Sequence, residues 1–106
     1  MNEDALFNAL ADPVRRHILT LLLEVDERCV CELHGTLNQP QPKVSRHLAV
    51  LREAGLVQAR REGVWMYYRI HPQLPTWAFR VLWHMKEGMA APPDARAVDC
   101  VACSGA

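Results

Sequence analysis

The chain has 106 residues, half of them hydrophobic, with 12 Lys and Arg against 12 Asp and Glu and so a formal net charge of zero. That length suits one modest core, often stabilised by dimerisation, so a single domain acting as a homodimer is expected, while zero net charge argues against a general polyanion binder. The polar opening Met1-Asn2-Glu3-Asp4, with no long apolar run behind it, reads as neither a secretory leader nor a membrane span, which predicts a cytoplasmic protein with no membrane partner and with reduced thiols.

In chain order, Leu6, Phe7, Leu10 and Ala11 form a short apolar stripe at helical spacing, and Asp12-Pro13 restarts the helix with an N-cap residue and a proline at its first position. The second helix should carry Val14, Ile18, Leu21 and Leu22 inward, with Arg15 and Arg16 on its other side, and end in the polar stretch 24–28. A short third helix follows with Val30, Leu33 and Leu37 as its seam. The cluster Asn38-Gln39-Pro40-Gln41-Pro42 breaks it, because each proline biases its predecessor away from helical geometry, so the fourth helix starts near Pro42 and stops at Gly55.

Val44, Leu48 and Leu51 fix the buried side of that fourth helix and leave Lys43, Ser45, Arg46 and Ala49 on the rest of its surface. Two helices joined by a tight turn, the second basic outside, describe a helix-turn-helix. Residues 56–60 and 64–70, rich in β-branched and aromatic side chains, flank Arg61-Glu62-Gly63 and predict a β-hairpin with a basic tip. From Leu74 the apolar positions Leu74, Trp77, Ala78, Val81, Leu82, Met85 and Met89 keep helical register, and Phe79 and Trp83 add apolar surface off that stripe. A helix with two apolar sides in so small a domain needs a second surface to cover one, and the economical partner is its own copy. The fold class is therefore mainly α with a β-hairpin wing, a homodimer through the first and fifth helices. The domain is expected over residues 1–89, and 90–106, opening Ala90-Ala91-Pro92-Pro93, reads as a flexible cysteine-bearing tail.

The charge is unevenly spread. Between Lys43 and Arg69 stand Lys43, Arg46, Arg52, Arg60, Arg61 and Arg69 against only Glu53 and Glu62. A basic middle between acidic flanks points to a localised nucleic-acid face. Gln41, Lys43, Ser45, Arg46 and His47 are the candidate groove readers, with Arg60 and Arg61 of the wing on backbone phosphates.

The 4 cysteines come in two close pairs, Cys29-Val30-Cys31 and Cys100-Val101-Ala102-Cys103. Reduced cysteines so spaced are soft-metal ligands or redox couples. An enzyme using the second pair as a thioredoxin-like couple does not fit, since that motif opens a helix after a strand and here it ends a proline-linked tail.

The run Val44-Ser45-Arg46-His47-Leu48-Ala49-Val50-Leu51-Arg52-Glu53-Ala54-Gly55-Leu56-Val57, with the wing 60–69 and this order of elements, resembles the ArsR/SmtB family of metal-responsive repressors over roughly residues 3 to 89. Cys29-Val30-Cys31-Glu32-Leu33 is similar to the Cys-Val-Cys element of its arsenite-sensing branch. The resemblance implies a repressor of arsenic resistance genes that binds double-stranded operator DNA and releases it when trivalent arsenic or antimony is captured by thiolates, with no organic cofactor. Two departures stand out. His34 occupies a position that is cysteine in some members of that branch, and Pro40 stands where a serine usually caps the recognition helix. With His34 the harder donor, the third sulfur is expected from Cys100 or Cys103, so the metalloid site comprises Cys29, Cys31, Cys100 and Cys103.

A second family site, for zinc on the fifth helix, would pair His84 and Glu87 with positions near His71 and Gln73, and glutamine is a poor ligand. Cadmium, lead or zinc on the four sulfurs, or thiol oxidation, remain alternatives to arsenic. Residues two apart on a regular helix point to different sides, so Cys29 and Cys31 should share an ion only on an irregular or unwound first turn.

Overall fold

The computed structural model describes residues 1–90, Ala90 by its backbone alone. In chain order it runs α1 (Glu3–Leu10), α2 (Pro13–Glu24), β1 (Arg28–Cys29), α3 (Val30–Leu37), α4 (Gln41–Glu53), β2 (Val57–Glu62), β3 (Trp65–Ile70) and α5 (Thr76–Ala90). The three strands form one antiparallel sheet in the order β1-β3-β2. With α3 packed on α4 and the β2–β3 hairpin following, this is a winged helix-turn-helix.

Local chemistry accounts for the helix ends. Asn2 Oδ1 accepts from Ala5 N at 2.9 Å, and Asp12 Oδ1 accepts from Val14 N at 2.8 Å and Arg15 N at 3.3 Å, each occupying donors that a first turn leaves unpaired. Asn38 closes α3 in the left-handed region at φ 56°, and its N–H and that of Gln39 return to the carbonyls of Gly35 and His34. Pro40 is the N-cap of α4 and gives no side-chain bond; Pro42, inside the first turn, has no N–H to satisfy. Helix α4 thus begins one residue before Pro42, and Gly55 at φ 83° turns the chain into the wing.

The core is one cluster: Leu6 and Ala9 of α1, Ile18, Leu19 and Leu22 of α2, Leu33, the seam Val44, Leu48 and Leu51, Leu56 and Val57, and Ala78 and Leu82 of α5. Truncating a fully buried leucine such as Leu48 to alanine should cost ~2–5 kcal/mol, a large part of the stability of a small domain.

Several sequence expectations need correction. Phe7 is 57% exposed, because Ala9 and not Phe7 continues the inward side from Leu6. Leu19 is buried where the pattern named Leu21, which is only half-buried. Arg15 and Arg16 do not face away but fold back onto the open carbonyls of α1: Arg15 Nε donates to Ala9 O at 2.8 Å, an Nη of Arg15 to Asn8 O at 3.1 Å, and an Nη of Arg16 to Leu10 O at 2.6 Å. Arg61 and Glu62 lie in strand rather than turn. The hairpin closes on only Gly63 and Val64, with Gly63 supplying the positive φ (63°) that a tight two-residue loop needs at its first position. Strand β1 was not foreseen at all.

Candidate functional site

Helix α4 presents Gln41, Ser45 and Arg46 to solvent and Lys43 half-exposed, since Val44, Leu48 and Leu51 hold the opposite side in the core. Ala49 and Val50 complete the outer surface. Together these four polar residues cover the side of α4 turned away from the core seam.

His47 is different. Its ring is 16% exposed and turned toward the α1–α2 junction, with Nδ1 3.4 Å from an Nη of Arg15 and Nε2 3.7 Å from Asp12 Oδ1. Burial pushes its imidazole below the ordinary value; the Asp12 carboxylate pulls it back up, but Arg15, Lys43 and Arg46 add to the depression. The neutral ring accepts from Arg15 on Nδ1 and carries its proton on Nε2, facing Asp12. Asp12 itself is pushed up by partial desolvation, yet the N–H groups of Arg15 and Val14, the facing His47 ring and the Arg15 charge leave it below its usual range. His47 therefore braces α4 against α2.

The wing separates its two arginines by the period of two along β2. Arg60 lies on one face of the sheet, where Nε and one Nη meet Glu27 at 3.0 and 2.8 Å, the other Nη meets Glu62 at 2.6 Å, and the guanidinium stacks over the Tyr67 ring at 4.9 Å. The Arg60 hydrogen bonds hold the Glu27 carboxyl below its ordinary value despite some desolvation, and Glu27 and Glu62 raise Arg60 in turn. A saturated guanidinium is a poor phosphate ligand. Arg61, exposed and without an ion pair among the described residues, is the available one. An open cleft of about 900 Å³ lies beside the Glu27–Arg60 pair, bordered by Leu23, Val25, Ile70 and Phe79; neither cysteine lines it.

The structure pairs the sulfurs of Cys29 and Cys31, with Cα atoms 5.4 Å apart. The cause is the start of α3. Cys29 is its N-cap in extended geometry (φ −82°, ψ 160°), with its N–H bound to Glu32 Oε1 at 3.0 Å, while Cys31 sits in the first turn. The two residues are therefore not on one regular helix, and their sulfurs converge without unwinding. Cys29 is 7% exposed and Cys31 is at the surface. Cys29 also belongs to β1, where Arg28 pairs with Tyr68 and Cys29 with Tyr67, so the sulfur pair is attached to the wing strand as well as to α3.

His34 is half-buried on the same helix, and Cys100 and Cys103 lie outside the described residues. Among the described residues no three His, Cys, Asp or Glu side chains converge as a preformed ion site. On α5, His84 Nδ1 and Glu87 Oε1 meet at 2.9 Å as an exposed pair. The sequence had missed Glu27, Asp12 and Arg15 as second partners. Asp12 was legible only as a cap, and a two-residue strand such as β1 carries no periodicity to detect.

The flanks of α5 remain uncovered. Trp77, Phe79 and Trp83 are each 41% exposed; Phe79 and Trp83 stack at 6.2 Å, with the Lys86 ammonium 5.2 Å from the Trp83 ring. No helix among the described residues is long and apolar enough to cross a membrane.

Comparison with known proteins agrees with this geometry. Residues 12–59 match the family described as bacterial regulatory protein, arsR family. Over 77 residues, 73% of this chain, the sequence is 51% identical to the arsenical resistance operon repressor of Escherichia coli K12 and 47% identical to the arsenic resistance transcriptional regulator ArsR2 of Pseudomonas putida. The match spans 66% and 67% of those two proteins, so about a third of each lies beyond it. A homodimeric winged helix-turn-helix DNA-binding domain from Mycobacterium bovis, a possible ArsR-family transcriptional regulator, superposes with a TM-score of 0.68 at 31% identity, covering 81% of this chain and 76% of that one.

Proposed function

The chain belongs to the bacterial ArsR family of regulatory proteins, which are DNA-binding regulators and not enzymes, and on that premise we propose that it is a cytoplasmic homodimeric repressor that lets go of its operator when trivalent arsenic or antimony is captured by its cysteines. Residues 1–89 would form the DNA-binding and dimerisation domain, with α1 and α5 joining two copies, and 90–106 would bring further sulfur. Exposed Phe7, Trp77, Phe79 and Trp83 favour that dimer surface. Gln41, Lys43, Ser45 and Arg46 would read bases and Arg61 would hold a phosphate.

The observation that carries the sensing role is the convergence of the Cys29 and Cys31 sulfurs at the junction of β1 and α3. Once reduced, the pair supplies two soft donors. Arsenous acid exchanges each hydroxyl for a thiolate sulfur, the thiol proton leaving with it as water, and a third sulfur completes the pyramid that this ion prefers. Pulling on Cys29 moves β1 against β3 of the wing, and pulling on Cys31 moves the first turn of α3, which packs on α4. Both DNA-facing elements are one step from the sulfurs.

Fluorescence anisotropy of a labelled operator tests this. Under reducing conditions, arsenite and antimonite should release the protein at lower concentration than cadmium, lead or zinc. Release by none of them would end the proposal. The disulfide favours a second reading, in which an oxidant takes two electrons from the pair as two protons leave; hydrogen peroxide would then release the operator with no metalloid present.

A further inference from the structure

We infer that Glu27 and Arg60 form a clamp over Tyr67 that couples the sulfur pair to the wing, so that a displacement of Cys29 is carried into β2 as well as into the strand it pairs with. The inference rests on the arsenite-release reading and deepens it by naming the residues through which release would pass.

The register lays one row of residues across the sheet. Cys29 of β1 stands opposite Tyr67 of β3, and Tyr67 stands opposite Arg60 of β2, so the three share one face. The Arg60 guanidinium lies over the Tyr67 ring at 4.9 Å, and there its Nε and one Nη donate to the two carboxylate oxygens of Glu27 at 3.0 and 2.8 Å. Glu27 immediately precedes β1, so the ion pair passes over the middle strand and ties the outer two together. The remaining Nη holds Glu62 of β2 itself, which fixes the guanidinium from a second side.

Such a tie matters because β1 is short. It has 2 residues and meets the sheet only through β3, whereas strands of about five or six residues are usual. Pulled at Cys29 with nothing else to hold it, so brief a ladder would slip and leave the hairpin where it was. A bidentate guanidinium–carboxylate pair fixes distance and orientation together, so the clamp makes the three strands move as a block. The residue after Arg60 is Arg61, the proposed phosphate contact, and it moves with that block. The pair is also partly open to solvent, with side-chain exposures of 50% for Arg60 and 28% for Glu27, and pairs so placed contribute at most a factor of about 5 to a folding equilibrium. Removing it should therefore leave the domain folded.

The test measures a coupling factor, the ratio of duplex affinity without arsenite to that with saturating arsenite, by anisotropy of a labelled duplex recovered by the wild-type protein from a randomised pool. In the wild type it should fall in the range of about 5 to 150 that is usual for coupled sites. Glu27→Gln keeps the size of the side chain and removes its charge. It should lower the factor about 5-fold, while arsenite affinity in the absence of DNA, followed by the ultraviolet absorption of arsenic–sulfur bonds, stays that of the wild type. By reciprocity, the duplex should weaken arsenite binding less in the variant than in the wild type. Arg60→Gln should lower the factor to the same extent and the double variant no further, because the two side chains act as one unit. A factor in Glu27→Gln equal to the wild type's, or losses that add in the double variant, overturns the clamp. So does a loss of arsenite affinity without DNA that accounts for the whole effect, since Glu27 would then support the sulfur site alone. A wild type that binds arsenite yet keeps its hold on the duplex overturns the release reading and the clamp with it.

Discussion

Nδ1 of His47, on the helix that would read DNA, lies 3.4 Å from an Nη of Arg15 on the helix behind it. The same Arg15 side chain donates to the carbonyls of Asn8 and Ala9 at the end of α1. One guanidinium therefore ties three helices together, and Asp12, capping α2, faces the other nitrogen of the same imidazole. The tilt of α4 is set by this polar contact as well as by its leucine seam.

Acidification should loosen the brace. Burial lowers the His47 imidazole from its ordinary 6.5, so as pH falls the unfolded chain takes up the proton before the folded one does. Stability is thus highest above that value and declines as pH drops through it toward the depressed folded value. Asp12, also lowered, adds a further loss below its ordinary 3.8. Urea midpoints measured from about pH 7.5 to about pH 5.5 should fall for the wild type and fall less for His47→Gln. Parallel pH curves for the two proteins would remove His47 from this role.

The two wing arginines should behave unlike each other. Arg61→Ala should weaken binding to every duplex and reduce the salt slope by about 1, as expected for one lost phosphate contact. Arg60→Ala should leave the salt slope alone, because its guanidinium is already occupied by Glu27 and Glu62. Arg46→Ala should instead cost discrimination among sequences, by roughly 1–3 kcal/mol at the base it reads. Binding isotherms at several salt concentrations, on matched and scrambled duplexes, separate the three.

Much of this was legible from side-chain spacing. The inward seam Val44, Leu48 and Leu51, the proline break before α4 and the hairpin all follow from period and turn chemistry, and the structure places them accordingly. What spacing could not give is pairing at a distance. Glu27 and Arg60 are 33 residues apart and Arg15 and His47 are 32 apart, and only the packed fold brings them together. The geometry of the cysteines was legible only in part: helical spacing lets residues 29 and 31 share an ion only on an irregular first turn, and it is pairing with Tyr67 that draws Cys29 into an extended strand there.

Trp83→Glu should convert the dimer to a monomer with poor operator affinity, since two half-sites about one helical turn apart need two recognition helices held together. Trp83 is 41% exposed and stacked on Phe79, so the charge enters a surface and not the core, and circular dichroism should stay that of a folded chain. Sedimentation velocity at micromolar concentration decides the matter. A wild type that sediments as a monomer while binding a palindrome tightly would place the dimer interface elsewhere or dispense with it.

The last prediction concerns which sulfurs act. In the reduced protein, iodoacetamide should label Cys31 well before Cys29, because Cys31 is at the surface while Cys29, within the β1–β3 ladder, is 7% exposed. Cys29→Ser and Cys31→Ser should each keep operator binding and lose arsenite release, since in the proposed mechanism the metal-free protein is the binding form and each sulfur would contribute a bond that no neighbour replaces. Two sulfurs leave trivalent arsenic one donor short. If the tail supplies it, Cys100→Ser and Cys103→Ser should differ from one another, and the double variant should be impaired at least as much as the worse single one. An anisotropy titration of the double variant that follows the wild type would transfer the third position to His34 or to a small thiol from solution, because the coupling between arsenite and operator would then not pass through the tail.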